Sequence, residues 1–172
     1  AFDKLGTITS KPVITRLNNG SWAIVVGYGY NNSGNNSGLL VIDIKTGNVL
    51  ASIDATDTVD ANAHGLGQVE GWDADRDGIT DWFFAGDLKG NVWKFDLSGK
   101  FTSEWKVAYS GFPLYKAKNA ANQAQAITGG LTLSSEAATG QLWVFFGTGK
   151  MLEAADLNNT NVQTWYGIQD VA

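Results

Sequence analysis

The chain has no cysteine, one histidine, one methionine and two prolines in 172 residues. Without cysteine there is no disulfide staple, no thiol nucleophile and no thiolate metal site. A zinc centre or a Ser-His-Asp triad would have to be built around His64 alone, and no spacing places its partners. His64 is therefore read as a loop-ending residue held by hydrogen bonds. Basic residues are few: 12 Lys and Arg stand against 17 Asp and Glu, a net charge of −5. No basic stripe exists to displace counterions, which argues against a nucleic-acid partner. No apolar run is long enough to cross a bilayer as a helix, so the expectation is a protein that is not integral to the membrane. Ala1 opens the chain and no signal-peptide pattern follows it. It is expected to be a processed or excised piece of something longer.

What the chain has in quantity is glycine and aromatic residues: 21 Gly, 7 Trp, 8 Phe and 5 Tyr, with 44% hydrophobic residues overall. That combination indicates aromatic-rich strands joined by tight turns around a real core. The tryptophans are expected mostly in blade packing, with one or two left for an adhesive surface. Short apolar runs alternate with turn chemistry. "PVITRL", "SWAIVVGYGY", "LLVIDI" and "VLASI" form a first antiparallel meander. "GQVEGW", "TDWFFAG", "NVWKFDL" and "FTSEWKVA" form a second. "AQAITGGLTLS", as one strand or two short ones, "QLWVFFGTG" and "VQTWYGIQD" form a third, with a short helical turn at "KMLEAADLNNTN". The remaining helical candidate is "NAANQAQA" at 119–126.

The groups repeat. "SWAIVVGYGY" and "QLWVFFGTGK" share an aromatic, an apolar run and Gly-x-Gly, while "GLLVIDIKTGNVL" and "GNVWKFDLSGKFT" share strand, Asp, glycine turn and strand. A repeat of several tens of residues suits a four-stranded propeller blade. The expected fold class is all-β: antiparallel meander blades in a partial, modified β-propeller of about three blades. The blade-like units lie at about 8–55, 64–110 and 122–172. A closed ring needs about four to eight blades. The chain is therefore expected to be an arc of a larger propeller, with exposed sheet faces at its two ends through which it could self-associate.

The strongest chemical signal is "GWDADRDGITDWFFAGDLKGNVWKFDL". Asp73, Asp75 and Asp77 fall at alternate positions 1, 3 and 5 of a loop, Ile79 at 7 and Asp81 at 9. Calcium takes about six to eight oxygen ligands, and this spacing wraps such an ion: carboxylates from the aspartates and a backbone carbonyl from Ile79. Gly78 at position 6 permits the sharp bend, and Arg76 between ligands should face solvent. A helical hand would close with Glu at position 12, but here that position is Phe84, so the loop exits into a strand. The ion is expected to staple a β-scaffold and not to swing helices. The competing reading is a solvated acidic turn.

"HGLGQVEGWDADRDGITDWFFAGDLKGNVWKFDL" (64–97) resembles the signature of the PilY family of type IV pilus biogenesis and tip-adhesin proteins. The flanking "PVITRLNNGSWAIVVGYGY…" and "…LWVFFGTGKMLEAADLNNTNVQTWYGIQD" resemble the preceding and following family blades. In the strand before the loop the family often has Pro, where this chain has Gln68-Val69-Glu70. The resemblance implies a modified β-propeller from an exported protein of the outer membrane and cell surface, with one Ca²⁺ held by Asp73, Asp75, Asp77, the Ile79 carbonyl and Asp81. It implies no enzyme activity. Its implied role is to control pilus extension against retraction and to mediate adhesion, with pilins or other pilus components, and host or abiotic surfaces, as partners. Two rivals stay open. A quinoprotein-type propeller enzyme shares turns like "VIDIKTGNVL" and would need a basic residue in a central cofactor pocket. An integrin-like structural propeller would carry several Asp loops.

Overall fold

The computed structural model describes residues 2–56 and 65–171. His64 and most of the expected connection at 54–66 lie outside them. Among the described residues twelve strands form three antiparallel sheets. The first sheet runs in sequence order through β1 (Val13–Arg16), β2 (Trp22–Gly27), β3 (Ser37–Asp43) and β4 (Val49–Ala55). The second runs through β5 (Leu66–Trp72), β6 (Trp82–Asp87), β7 (Asn91–Asp96) and β8 (Lys106–Val107), and β9 (Tyr115–Lys116) also pairs with β7. The third contains β10 (Thr132–Ser135), β11 (Leu142–Gly147) and β12 (Trp165–Gln169). Among the described residues the helical segments are short 3-10 turns, and no helix is long and apolar enough to cross a membrane.

The sheets stack through alternate faces of their strands, as period-two patterning requires. Between the first and second sheets, small and branched residues (Ala23, Val25, Leu39, Val41) meet the aromatics Phe83, Trp93 and Phe95. The opposite face of the second sheet, with Phe84 and Val92, packs on Leu142, Val144 and Phe146 of the third. Adjacent residues on β6 thus serve different cores: Phe83 one seam, Phe84 the other, both fully buried.

Each end of the stack keeps an apolar face. On the first sheet Ile14, Ile24, Ile42 and Val49 pair in one line across all four strands, and Leu5, like Ile24, Ile42 and Val49, packs against the buried Val26, Tyr28 and Leu40. On the third, Trp143 and Phe145 lie nearly parallel, 13° apart with centroids separated by 6.2 Å, and Trp165 is 71% exposed. Phe145 pairs with Gly167, where a Cβ would come within 2.9 Å of its ring. The missing side chain is what lets the ring lie across the neighbouring strand.

Three expectations need correction. The run 101–108 is not one strand. Glu104 accepts the Phe101 N–H at 3.0 Å and the Trp105 indole donates to the Gly99 carbonyl at 2.9 Å. The segment folds back as a 3-10 turn at Thr102–Glu104, and only the two-residue β8 remains extended. "NAANQAQA" is not helical: the Asn119 side chain accepts from the Ala121 and Gln123 amides and curls the chain into a side-chain-closed turn. In "AQAITGGLTLS" only Thr132–Ser135 joins the sheet. The Ile127 region instead bridges Gly149 in parallel.

Candidate metal centre

The loop 73–81 spans the mouth of the β5–β6 hairpin. Trp72 pairs with Trp82, and the Asp81 N–H donates to the Trp72 carbonyl at 3.0 Å, so both loop ends are fixed by the ladder. Inside it the aspartates act first as turn formers. Asp73 accepts the amides of Arg76 (2.6 Å), Asp77 (3.2 Å) and Gly78 (2.8 Å). Asp75 accepts the Asp77 amide at 3.2 Å, and Asp77 accepts that of Ile79 at 2.8 Å. Two left-handed residues, Arg76 (φ 66°) and Gly78 (φ 85°), reverse the chain twice. Glycine takes this conformation freely, whereas arginine takes it at a cost.

The result is convergence. One carboxylate oxygen each from Asp73, Asp75 and Asp81 lie within 4.8 Å of one another. Ligands about 2.3 to 2.6 Å from a common centre stand no farther apart than about 5 Å, so the three fit around one hard cation. Asp77 does not join this group; its Oδ1 is turned to the Ile79 amide. Ile79 itself is half-buried. Among the described residues no Lys or Arg forms an ion pair with the cluster, and Arg76 is exposed. The Asp75 carboxyl is pushed above the usual carboxylate range, first by desolvation and then by the charges of Asp77, Asp81 and Asp73. An all-oxygen anionic donor set without a neutralising side chain suits calcium chemistry and not zinc. Position 12, Phe84, sits on β6 opposite Glu70 and Lys94.

Two features beside the loop were not anticipated. Asp81, the buried member of the cluster, accepts the Ala74 amide on Oδ2 and the Asn18 side-chain amide on Oδ1, each at 2.8 Å. Asn18 belongs to the first sheet's β1–β2 turn, and nothing in its sequence neighbourhood announces this contact. Next to the loop opens a cleft of about 490 Å³ bordered by Trp72, Asp75, Arg76, Trp82, Gln141 and Asp170. Lys94 also lines it; buried, it donates to Asp170, just past β12 of the third sheet, at 2.7 Å and lies 3.5 Å from the Trp82 ring centroid. Tyr109 donates to the same carboxylate, and burial, reinforced by Asp170, pushes its phenol well above the usual range. A lysine inside the apolar run "NVWKFDL" was the available clue to a buried cation.

The family model described as the PilY1 beta-propeller domain matches residues 2–172. A type IV pilus biogenesis factor PilY1 homolog of Xylella fastidiosa strain Temecula1 is 36% identical over 181 residues, covering 98% of this chain and 12% of that protein. The type IV pilus biogenesis factor PilY1 of Pseudomonas aeruginosa strain PAO1 is 37% identical over 184 residues, covering 96% of this chain and 16% of that protein. The crystal structure of the Pseudomonas aeruginosa PilY1 C-terminal domain superposes with a TM-score of 0.90 at 35% identity, over 98% of this chain and 38% of that one. The chain thus spans 12 to 16% of these curated relatives. Its all-β architecture of antiparallel blades agrees with the match in fold as well as in sequence. The chain belongs to the PilY1 β-propeller domain family.

Proposed function

We propose that this chain is a calcium-binding β-propeller module of a type IV pilus biogenesis factor, acting by binding and not by catalysis. The pilus assignment rests on family membership. The calcium assignment rests on one observation: one carboxylate oxygen each from Asp73, Asp75 and Asp81 lie within 4.8 Å of one another, and among the described residues no Lys or Arg forms an ion pair with them. Asp73, Asp75, Asp77, the Ile79 carbonyl and Asp81 form the proposed ligand set. Bound Ca²⁺ would supply the positive charge that lets these carboxylates share one volume, and its binding free energy would add to the stability of the loop. The chain's own part is preorganisation. Asp73 organises three loop amides. Asp81 is anchored from both sides. Asp77 has one carboxylate oxygen with no hydrogen bond among the described residues, available once its side chain turns inward.

In this reading the module is exported and displayed at the outer membrane or cell surface. It regulates pilus extension against retraction and contributes to surface adhesion, through contacts with pilins or other pilus components and with host or abiotic surfaces. The end faces around Ile14 and Trp165 supply apolar area for such contacts or for self-association. A non-enzymatic role is favoured because the relatives are named as pilus biogenesis factors and not as enzymes. Calorimetric titration with Ca²⁺ tests the reading. Saturable binding at one site, lost in Asp75→Ala/Asp81→Ala and much weaker for Mg²⁺, supports it. Absence of binding by the folded wild-type chain refutes it.

A further inference from the structure

We propose that Asn18, on the first sheet, is a positioning residue for the metal loop of the second, so that ion binding and the docking of the two sheets form one linked equilibrium. The inference rests on the calcium reading above and deepens it. Three of the four aspartates take their hydrogen bonds from amides within the loop itself. Asp81 is different: one oxygen is held by Ala74 in the loop, the other by Asn18, 63 residues away in sequence. A carboxylate only accepts, so the asparagine must present its NH₂ group there. Each carboxylate oxygen has about two lone-pair sites, so one donor per oxygen leaves the outward site of each for a cation. Without Asn18 the carboxylate keeps a single anchor and can turn about its broad terminal torsion.

Both partners are rigidly mounted. The Asn18 turn is closed by Gly20 donating to the Leu17 carbonyl (2.8 Å), Leu17 donating to the Ser21 carbonyl (2.9 Å) and Ser21 donating to the Asn19 side chain (3.0 Å). Leu17 is fully buried in the seam between the sheets. The Asp81 main chain is bonded to Trp72 on one side and Leu97 on the other. Two further bonds cross the seam beside it: Thr80 N–H to the Arg16 carbonyl at 3.1 Å, and Thr15 Oγ1 to Thr80 Oγ1 at 2.7 Å. The last two residues of the loop are therefore stitched to the tip of the first hairpin. Whatever orders Asp81 from the ion side must also hold Asn18, and the converse follows by reciprocity.

The test compares the wild-type chain with Asn18→Ala, Asn18→Leu and Thr15→Val. The last cuts a bond across the same seam without touching a carboxylate. Calcium affinity is read by calorimetry, and the reach of the ion by hydrogen exchange with and without Ca²⁺. Loss of one charge-assisted bond to a ligand should weaken Ca²⁺ binding by roughly ten-fold in both Asn18 variants, and by less than about two-fold in Thr15→Val. In the wild type, Ca²⁺ should slow exchange in residues 13–22 as well as in 73–81. In the Asn18 variants it should slow exchange only in the loop. If the folded wild type binds Ca²⁺ and the Asn18 variants bind it equally well with the same exchange footprint, the inference is overturned while the calcium reading stands. If the folded wild type binds no Ca²⁺, both fall together.

Discussion

The second sheet turns twice on aspartate, once on each side of β6. At the end of β6, Asp87 is fully buried and accepts the amides of Lys89 and Asn91, the Asn91 side chain and the Trp93 indole, all within 2.9 Å, and the Ser37 hydroxyl at 3.4 Å. Burial pushes its carboxyl up, and the Trp93 and Asn91 donors oppose that. Before β6, four aspartates share a loop, and their donors are mostly the amides of that same loop. The first carboxylate is saturated by the protein. The second group has more oxygens than donors, and its members repel one another. The same residue type at the two ends of one strand is thus a closed structural hub in one place and an under-donated carboxylate cluster in the other. What distinguishes them is the count of donors against lone pairs, not the count of aspartates.

That contrast can be broken most forcefully at the hub. Asp87→Ala strands three buried donors, the Asn91 amide, the Asn91 side chain and the Trp93 indole, and should cost about 3 kcal/mol or more in urea unfolding. The loss should be the same with Ca²⁺ or with chelator, and a chelator-dependent loss would erase the distinction. At the loop, removing Ca²⁺ from a sample holding it at 100 times its dissociation constant should cost about 2.7 kcal/mol. For a chain of this size that is a fall in Tm of roughly 5 to 10 °C, and Asp81→Ala should abolish the dependence. A sharper test is a change of sign. Asp75→Asn should lower Tm in Ca²⁺ by removing a ligand, yet raise it in chelator by removing a repelled charge.

The smallest effect is in titration. Asp43 accepts the Thr46 hydroxyl and the amides of Thr46 and Lys45, which hold its carboxyl below the usual range. Carbon-detected NMR of the metal-free chain should place Asp43 below, and Asp75 above, the unperturbed value of about 3.9. The linked stabilities then run in opposite directions. The Asp43 contribution is complete above its unfolded value and is lost as pH falls through its lowered folded value. The Asp75 contribution is present below its unfolded value and is lost as pH rises through its raised one. Two midpoints on the same side would mean the loop is saturated after all.

The loop was legible because its information is local. Aspartates at alternate positions, a glycine at the bend and Phe84 in place of a closing glutamate can all be read within one short window. The strands were legible for the same reason, since alternation and turn residues act over a few positions. The missed features involve residues brought together by stacking. Asn18 and Asp81 meet because the first hairpin tip lies on the second sheet, and Lys94 and Asp170 because the third lies on its other face. The overcalled strand at 101–108 failed where one side chain, Glu104, competed for the backbone of Phe101. Local patterns specify the sheets well; which side chains bridge them depends on a packing that no window contains.

Lys94 also has an optical consequence. Its ammonium stands 3.5 Å from the centre of the Trp82 indole, while the carboxylate that holds it there follows β12 on the neighbouring sheet. A fixed positive charge against an aromatic face shifts the energy of that ring's electronic transitions. If the second and third sheets part, the ammonium loses its carboxylate and the field at the indole changes. The colour of one tryptophan, adjacent in the chain to Asp81, therefore works as a ruler for the seam between two blades.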